Sequence, residues 1–313
     1  MHTSDTVAVT GAFGYSGSYI ARRLLDAGIA VRTLTRSPDR ESDLRGRVDV
    51  HPLAFDDPAS LRRSLAGVSV LINTYWVRFN HARFTFAQAV RNTLALFEAA
   101  QAAGVRRIVH VSITEPTEDS PLEYFRSKAE LERRLRESGM SHCILRPAVL
   151  FGGDDILVNN IAWVLRRAPV FGVFGDGRYR IQPIHVDDFA ALAVENARGD
   201  ENCTINAVGP QIFEYRELAA EIGRIIGCPR RIVSVSPALG YRLGQLMGWA
   251  VGDVMITRDE IAGLMGGLLA VDTPPTGTTR LTDWAASVAN TLGRRYASEL
   301  GRRANRSAAY ARV

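Results

Sequence analysis

Of the 38 basic residues in this chain of 313, 37 are arginine and one is lysine, Lys128. A guanidinium is a planar fork that stays charged, whereas a lysine ammonium is compact and titrates in response to its surroundings. A single retained lysine points to a site where that difference matters. It stands four residues after a tyrosine, in Tyr124-Phe125-Arg126-Ser127-Lys128, and on a helix that spacing puts both side chains on one face. A phenol titrates near about pH 10, and a neighbouring ammonium lowers that value, which makes the tyrosine a usable acid or base. The bland alternative is an amphipathic helix with an exposed lysine.

A second constellation lies at the other end of the first 150 residues. Thr10-Gly11-Ala12-Phe13-Gly14-Tyr15-Ser16-Gly17 spaces its glycines G-x-x-G-x-x-G between a strand pattern and a helix pattern. Glycines so placed allow a tight turn, close approach of a pyrophosphate and close helix-on-strand packing, with the helix N-terminus facing the anion. An NAD site asks for Asp or Glu about 20 residues on, to hold the ribose 2′-hydroxyl. Leu34-Thr35-Arg36-Ser37 stands there instead, with no acid before Asp39. Arg36, with Arg32 and Arg40 nearby, suits a 2′-phosphate, so NADP(H) is favoured over NAD(H). The competing reading of Arg36 is an ordinary solvent arginine.

Positioning these residues requires alternating strands and helices. Strands are expected at Thr6–Thr10, Ala30–Thr35, Val48–Leu53, Val68–Asn73, Arg107–Ser112 and Cys143–Leu145. Helices are expected at Ser16–Ala27, Leu61–Leu65, Phe84–Ala103 (stopped by Gly104) and Tyr124–Ser138. The alternation predicts an α/β fold, a doubly wound Rossmann sheet of parallel strands over residues 1–150 with a contribution from about 181–206. After Arg146-Pro147 the texture becomes shorter and richer in Gly, Pro and aromatics. A helix is expected at Asp187–Asn196, within the part that returns to the sheet, and residues 151–180 and 207–290 are expected to form a smaller substrate subdomain interwoven with it, with helices at Tyr215–Ile226 and Pro237–Trp249.

Composition narrows the class. Hydrophobic content of 46% with 23% charged residues is ordinary for a globular protein. The first strand begins within a few residues of Met1, which leaves no room for a signal peptide, and no run approaches the length of a membrane span. Three cysteines make neither a disulfide framework nor a zinc site, and no metal is expected. A cytoplasmic location follows as the expectation. Six arginines (294, 295, 302, 303, 306, 312) against Glu299 carry the net charge of +5, so residues 291–313 read as a solvated basic tail rather than a nucleic-acid site.

Together these residues resemble the extended short-chain dehydrogenase/reductases, in their atypical, NmrA-like and epimerase/dehydratase-like branch. In particular they are similar to the group containing the NADPH-binding accessory subunit of mitochondrial complex I and its bacterial relatives. The resemblance covers nearly the whole chain. It is carried by the Gly11 turn, Asn73 closing the fourth strand, Arg91-Asn92-Thr93, Val111-Ser112-Ile113-Thr114, Tyr124 and Lys128, Leu145-Arg146-Pro147, residues 183–188 (Pro-Ile-His-Val-Asp-Asp) and residues 256–260 (Ile-Thr-Arg-Asp-Glu). It implies that Tyr124 is the acid/base and that Lys128 binds the nicotinamide ribose and lowers the tyrosine pKa. Thr114, better than Ser112, would hold the substrate oxygen, although both also suit ordinary strand ends. It further implies that Gly11, Phe13, Gly14, Tyr15, Ser16, Gly17, Arg36, Phe55, Asn73, Thr74, Tyr75 and Pro147 border the cofactor.

Two departures stand out. The acid expected to read adenine after the third strand is replaced by Ala54-Phe55, with Asp56 and Asp57 displaced. After Asn73, where small residues are usual, stand Thr74-Tyr75-Trp76-Val77-Arg78-Phe79; the aromatics either wall a substrate pocket or fill it. Arg78 suits an anionic substrate or plain packing. His185 is more readily structural than catalytic, Asp187 and Asp188 read as helix caps, and Asn159-Asn160 either bind a ligand or make a turn. Two functions remain open. One is an NADP(H)-dependent oxidoreductase, epimerase or dehydratase acting on a small molecule; the other is a non-catalytic NADPH-binding subunit or redox-sensing partner, as a homo-oligomer or with another protein.

Overall fold

The computed structural model describes residues 5–310. In chain order it contains β1 (Thr6–Thr10), α1 (Tyr15–Asp26), β2 (Ala30–Thr35), β3 (Asp49–Pro52), α2 (Pro58–Leu65), β4 (Val68–Asn73), α3 (Phe86–Ala102), β5 (Arg107–Val111), α4 (Glu123–Glu137) and β6 (Ser141–Pro147). There follow β7 (Val149–Phe151), α5 (Leu157–Arg167), β8 (Val170–Phe174), β9 (Arg180–Ile181), β10 (Pro183–His185), α6 (Val186–Arg198), β11 (Cys203–Ala207), β12 (Phe213–Glu214) and α7 (Tyr215–Ile225). The last elements are β13 (Arg231–Val235), α8 (Pro237–Val251), α9 (Arg258–Met265), α10 (Leu281–Ser287) and α11 (Glu299–Ala304).

Residues 5–147, 189–206 and 307–310 form one compact unit, and residues 148–188 and 207–306 a second. The first is built on a sheet ordered β11-β6-β5-β4-β1-β2-β3. Its first six strands pair in parallel. Strands β1, β4 and β5 are nearly continuous apolar runs buried on both faces, as parallel strands covered by crossover helices must be. The order reverses between β1 and β4, which makes the carboxyl ends of these two strands the place where such sheets bind ligands. This is the doubly wound sheet expected from the sequence.

Local chemistry fixes the helix ends. Thr85 caps α3 by accepting from Gln88 N at 3.1 Å. Asp57 caps α2 by accepting from Ser60 N at 2.9 Å, with Pro58 in the first turn, so that helix begins earlier than its apolar residues suggested. The third strand is shorter than expected and the sixth longer, because pairing with β2 and β5 rather than apolar content sets their bounds.

The second unit has three short strand pairs, β7 with β10, β8 with β13 and β9 with β12. A core of Val158, Ile161, Phe171, Leu218, Ile222 and Leu281 holds α5, α7 and α10 together. Two expectations are corrected here. Asp187 and Asp188 lie inside the first turn of α6, not at its cap; the Asp188 carboxylate accepts from Thr278 N at 2.8 Å and Thr279 N at 2.7 Å and so ties down that loop. The basic segment is not a solvated tail. Leu292, Ala297 and Arg302 are buried, and Asp253 accepts from Tyr296 Oη, Glu299 N and Leu300 N. Arg312 lies outside the described residues. Among those residues no helix is long and apolar enough to cross a membrane.

Candidate functional site

The glycine turn joins β1 to α1 under tight constraint. Gly11 has φ +71°, a left-handed conformation that costs a residue with a Cβ, and a Cβ at Gly17 would lie 2.3 Å from Gly11 O. Gly11 N donates to Leu34 O at 2.9 Å and Ala12 N to Thr33 Oγ1 at 3.0 Å, which pins the turn to β2. Phe13 is buried, while Gly14, Tyr15 and Ser16 are half-buried at the helix start. No side chain caps α1 and its first turn holds no acid. Its N-terminal donors and positive dipole end are of the kind that suits an anion.

A chain of buried polar side chains crosses the ends of β1, β4 and β5. Thr10 Oγ1 donates to Asn73 Oδ1 at 3.1 Å and accepts from Thr74 N at 2.7 Å and Tyr75 N at 3.1 Å. Asn73 Nδ2 donates to His110 Nδ1 at 3.1 Å, which leaves the imidazole proton on Nε2. Burial, followed by the nearby Lys128 charge, pushes the His110 pKa well down, so the ring is neutral. Its Nε2 is buried without a hydrogen-bond partner. The Tyr75 hydroxyl accepts from Asn92 Nδ2 at 2.8 Å, and its ring lies 4.7 Å from that of Phe55.

On α4 the tyrosine and lysine begin a stripe that continues to Glu132, one further turn along. Lys128 is 1% exposed, and Nζ donates to Val111 O at 2.7 Å. Burial lowers its pKa to about 7, opposed by the charge of Glu132. Glu132, itself buried, accepts from Arg146 Nε at 2.9 Å on β6 and from Arg136 Nη2 at 2.8 Å. The Lys128 ammonium lies 4.2 Å from the centroid of the Trp76 ring. That ring in turn meets Tyr124 edge-on at 5.9 Å and stacks with Phe86 at 6.1 Å.

Beyond β5 the chain stays pinned to β6, with Ser112 N donating to Leu145 O at 2.7 Å and Thr114 N to Pro147 O at 3.2 Å. Thr114 is fully buried; Ser112 Oγ is buried and has no hydrogen-bond partner. Glu115 follows at φ +49°, the one left-handed residue other than glycine among the described residues. Strain of this kind collects at functional turns.

The three arginines after the glycine turn part company. Arg32 is committed to Asp49, Ser64 O and Ala66 O. Arg36 is exposed at the end of β2, and Arg40 is buried. Of the residues considered for a substrate pocket, Trp76 lies over Lys128 as described, and the Arg78 guanidinium lies 5.6 Å from the Phe79 ring. Asn159 and Asn160, on α5 rather than in a turn, hold the segment at 293–297. Asn159 donates to Arg295 O at 2.9 Å, and Asn160 donates to Ala297 O at 3.0 Å. His185 packs between Phe151 and Trp284, and its Nδ1 accepts from Asp187 N at 3.3 Å. These three residues sit in the second unit, whereas Tyr124, Lys128, Ser112, Thr114 and the glycine turn sit in the first.

Four contributors had no role assigned from the sequence: His110, Glu132, Arg146 and Glu115. Arg146 entered there only as part of Leu145-Arg146-Pro147, and Glu132 could have been found from its place four residues beyond Lys128.

The family model described as NAD(P)H-binding matches residues 11–162, from the glycine turn through α4 and into α5. The chain is 30% identical over 231 residues to the (4-alkanoyl-5-oxo-2,5-dihydrofuran-3-yl)methyl phosphate reductase of Streptomyces griseus, covering 72% of this chain and 75% of that protein. It is 29% identical over 223 residues to the mitochondrial NADH dehydrogenase (ubiquinone) 1 alpha subcomplex subunit 9 of Arabidopsis thaliana. That match covers 67% of this chain and spans 55% of the plant protein's length. Among solved structures, the Citrobacter triphenylmethane reductase complexed with NADP(H) shares the fold, with a TM-score of 0.74, 20% identity, and coverage of 91% of this chain and 99% of that one. Sheet, glycine turn and relatives define an NAD(P)H-binding Rossmann protein. The chain belongs to the atypical short-chain dehydrogenase/reductase family, in its NmrA-like, epimerase/dehydratase-like branch.

Proposed function

We propose that this chain is an NADP(H)-dependent oxidoreductase that acts on a carbonyl or alcohol of a small molecule, with Tyr124 as acid/base. The observation that carries the proposal is the buried Lys128 ammonium, one helical turn from Tyr124 and held on Val111 O. A lone lysine kept dry at that offset is costly unless it has work to do. A bound nicotinamide would supply or accept the hydride. The uncapped N-terminus of α1 fits the diphosphate, and Arg36 suits a 2′-phosphate. At the other end Asn73, Thr74, Tyr75, Lys128 and Pro147 would border the nicotinamide.

The residues divide the remaining work. The Tyr124 hydroxyl passes its proton to a substrate oxygen in reduction, and its phenolate takes the alcohol proton in oxidation. The positive charge of Lys128, where it is protonated, favours the phenolate, and Glu132, fixed by Arg146 and Arg136, opposes the burial that lowers the lysine pKa. Thr114 or Ser112 would orient the oxygen. Trp76 covers Lys128 and must give way for a ribose to reach it. Family relatives by name include a reductase for a furanone phosphate, an NAD(P)H azoreductase and a ceramide reductase, which supports reduction of an unsaturated or carbonyl substrate. Turnover of carbonyl, quinone and azo compounds with NADPH tests the assignment, with Tyr124→Phe as the control. A substrate whose turnover Tyr124→Phe leaves unchanged removes the acid/base role.

A second reading has its own observation. On α8 Leu239, Leu243, Leu246 and Trp249 are exposed, Trp249 by 84%, and together they make an apolar stripe of a kind monomers seldom show. That stripe, together with the complex I subunits among the relatives, supports a non-catalytic NADPH-binding subunit docked on another protein. A stable complex with a second protein and no turnover supports it; a monomer with turnover ends it.

A further inference from the structure

The last described residues, 307–310, belong to the nucleotide-binding unit and run along the segment that follows β2. Glu41 N donates to Ser307 O at 2.7 Å, and Arg40 Nη1 to Ala308 O at 3.4 Å. The Arg40 guanidinium lies 5.7 Å from the centroid of the Tyr310 ring, and Arg40 is only 5% exposed. The Tyr310 ring also lies nearly parallel to that of Tyr15, with 6.4 Å between centroids and 10° between planes. Tyr15 is the first residue of α1, directly after the glycine turn. One aromatic ring from the chain's end thus spans the two segments that border the adenosine end of the site: the start of α1 and the loop that runs from Arg36 to Arg40.

Two carboxylates of this stretch pair with arginines. Asp43 is held by Arg22 at 2.9 Å, and Asp39 lies 3.9 Å from Arg45. One of them, Asp39, lies in the loop and the other, Asp43, just after it. A buried guanidinium fixed by a ring and a carbonyl is preorganised, so less entropy is lost in ordering it when a phosphate arrives.

We propose that residues 307–310 are a specificity element of the cofactor site, in which Tyr310 fixes Arg40 and the loop carrying Arg36 so that they take a 2′-phosphorylated adenosine. This rests on the NADP(H) reading given above. Residues 307–310 bear on Arg40 and Glu41, so their loss should act on the phosphate at the 2′ position and spare an adenosine that lacks it.

The test is titration of the full chain, and of Tyr310→Ala and Tyr310→Phe, with adenosine 2′,5′-bisphosphate and with adenosine 5′-monophosphate. Loss of a partly desolvated cation–π contact and of the ring stack that fixes the loop predicts that Tyr310→Ala weakens the bisphosphate about tenfold. The monophosphate should change less than about twofold, and Tyr310→Phe should resemble the wild type. A wild-type preference for the bisphosphate that survives Tyr310→Ala overturns this proposal alone, as does an equal loss for both ligands. A wild-type chain that binds the two alike, or neither, overturns the NADP(H) reading and this proposal together. Thermal melting of each variant separates loss of binding from loss of fold.

Discussion

The ammonium of Lys128 and the indole of Trp76 are 4.2 Å apart, charge to ring centroid, with both Tyr124 and Phe86 against the same indole. The aromatic segment after β4 therefore covers the lysine. A ribose and the indole cannot both hold that ammonium.

Nucleotide binding should accordingly be opposed at its nicotinamide end and unopposed at its adenosine end. A desolvated cation–π contact is worth about 2 kcal/mol, so Trp76→Ala should tighten NADPH by up to about thirtyfold relative to adenosine 2′,5′-bisphosphate. Calorimetric titration of both ligands measures the ratio. A ratio unchanged by the substitution would mean that the indole and the cofactor do not compete.

Because Lys128 is the chain's sole lysine, isotope labelling of lysine gives a single side-chain resonance to follow. Burial places its titration at about pH 7 rather than the usual range above 10. The folded state then holds one proton fewer than the unfolded state from about pH 7 up to about 10.4, so this group makes stability rise with pH across that window. Lys128→Met should flatten the rise, measured by urea unfolding at intervals between those limits. A lysine signal that titrates only above pH 10 would contradict this.

On the proposed function, Glu132 is a positioning residue that acts on Tyr124 through Lys128. Glu132→Gln removes a buried charge that faces Arg146 and Arg136, which should cost about 3 kcal/mol in chemical denaturation. The same change should move the lysine titration further down, since Glu132 is the charge that raises it. A merely structural carboxylate would leave the lysine resonance where it was.

What the sequence showed of this site was what fixed local spacing encodes. The G-x-x-G-x-x-G turn and the Tyr124–Lys128 offset each lie within one loop or one helix, so their geometry follows from backbone period alone. His110 with Asn73, and Glu132 with Arg146, join different strands and helices, and nothing in their spacing announces the contact. Sequence singled out Arg36 and left Arg32 and Arg40 as neighbours; the structure commits Arg32 to Asp49 and sets Arg40 against Tyr310. The arginine-rich end read as solvated because its partners, Asn159, Asn160 and Asp253, lie far away in the chain. The fold class was legible because six strands alternated with helices, whereas the strand pairs of the second unit, some only two residues long, carry no period to detect.

The most direct measurement is titration of the purified chain with NADPH and with NADH, repeated on Arg36→Ala. The predicted result is tighter binding of NADPH, weakened by Arg36→Ala by about tenfold or more while NADH is little changed, as loss of a charge-assisted phosphate contact requires. Equal binding of the two nucleotides by the wild type, or no binding of either, would contradict an NADP(H)-dependent function.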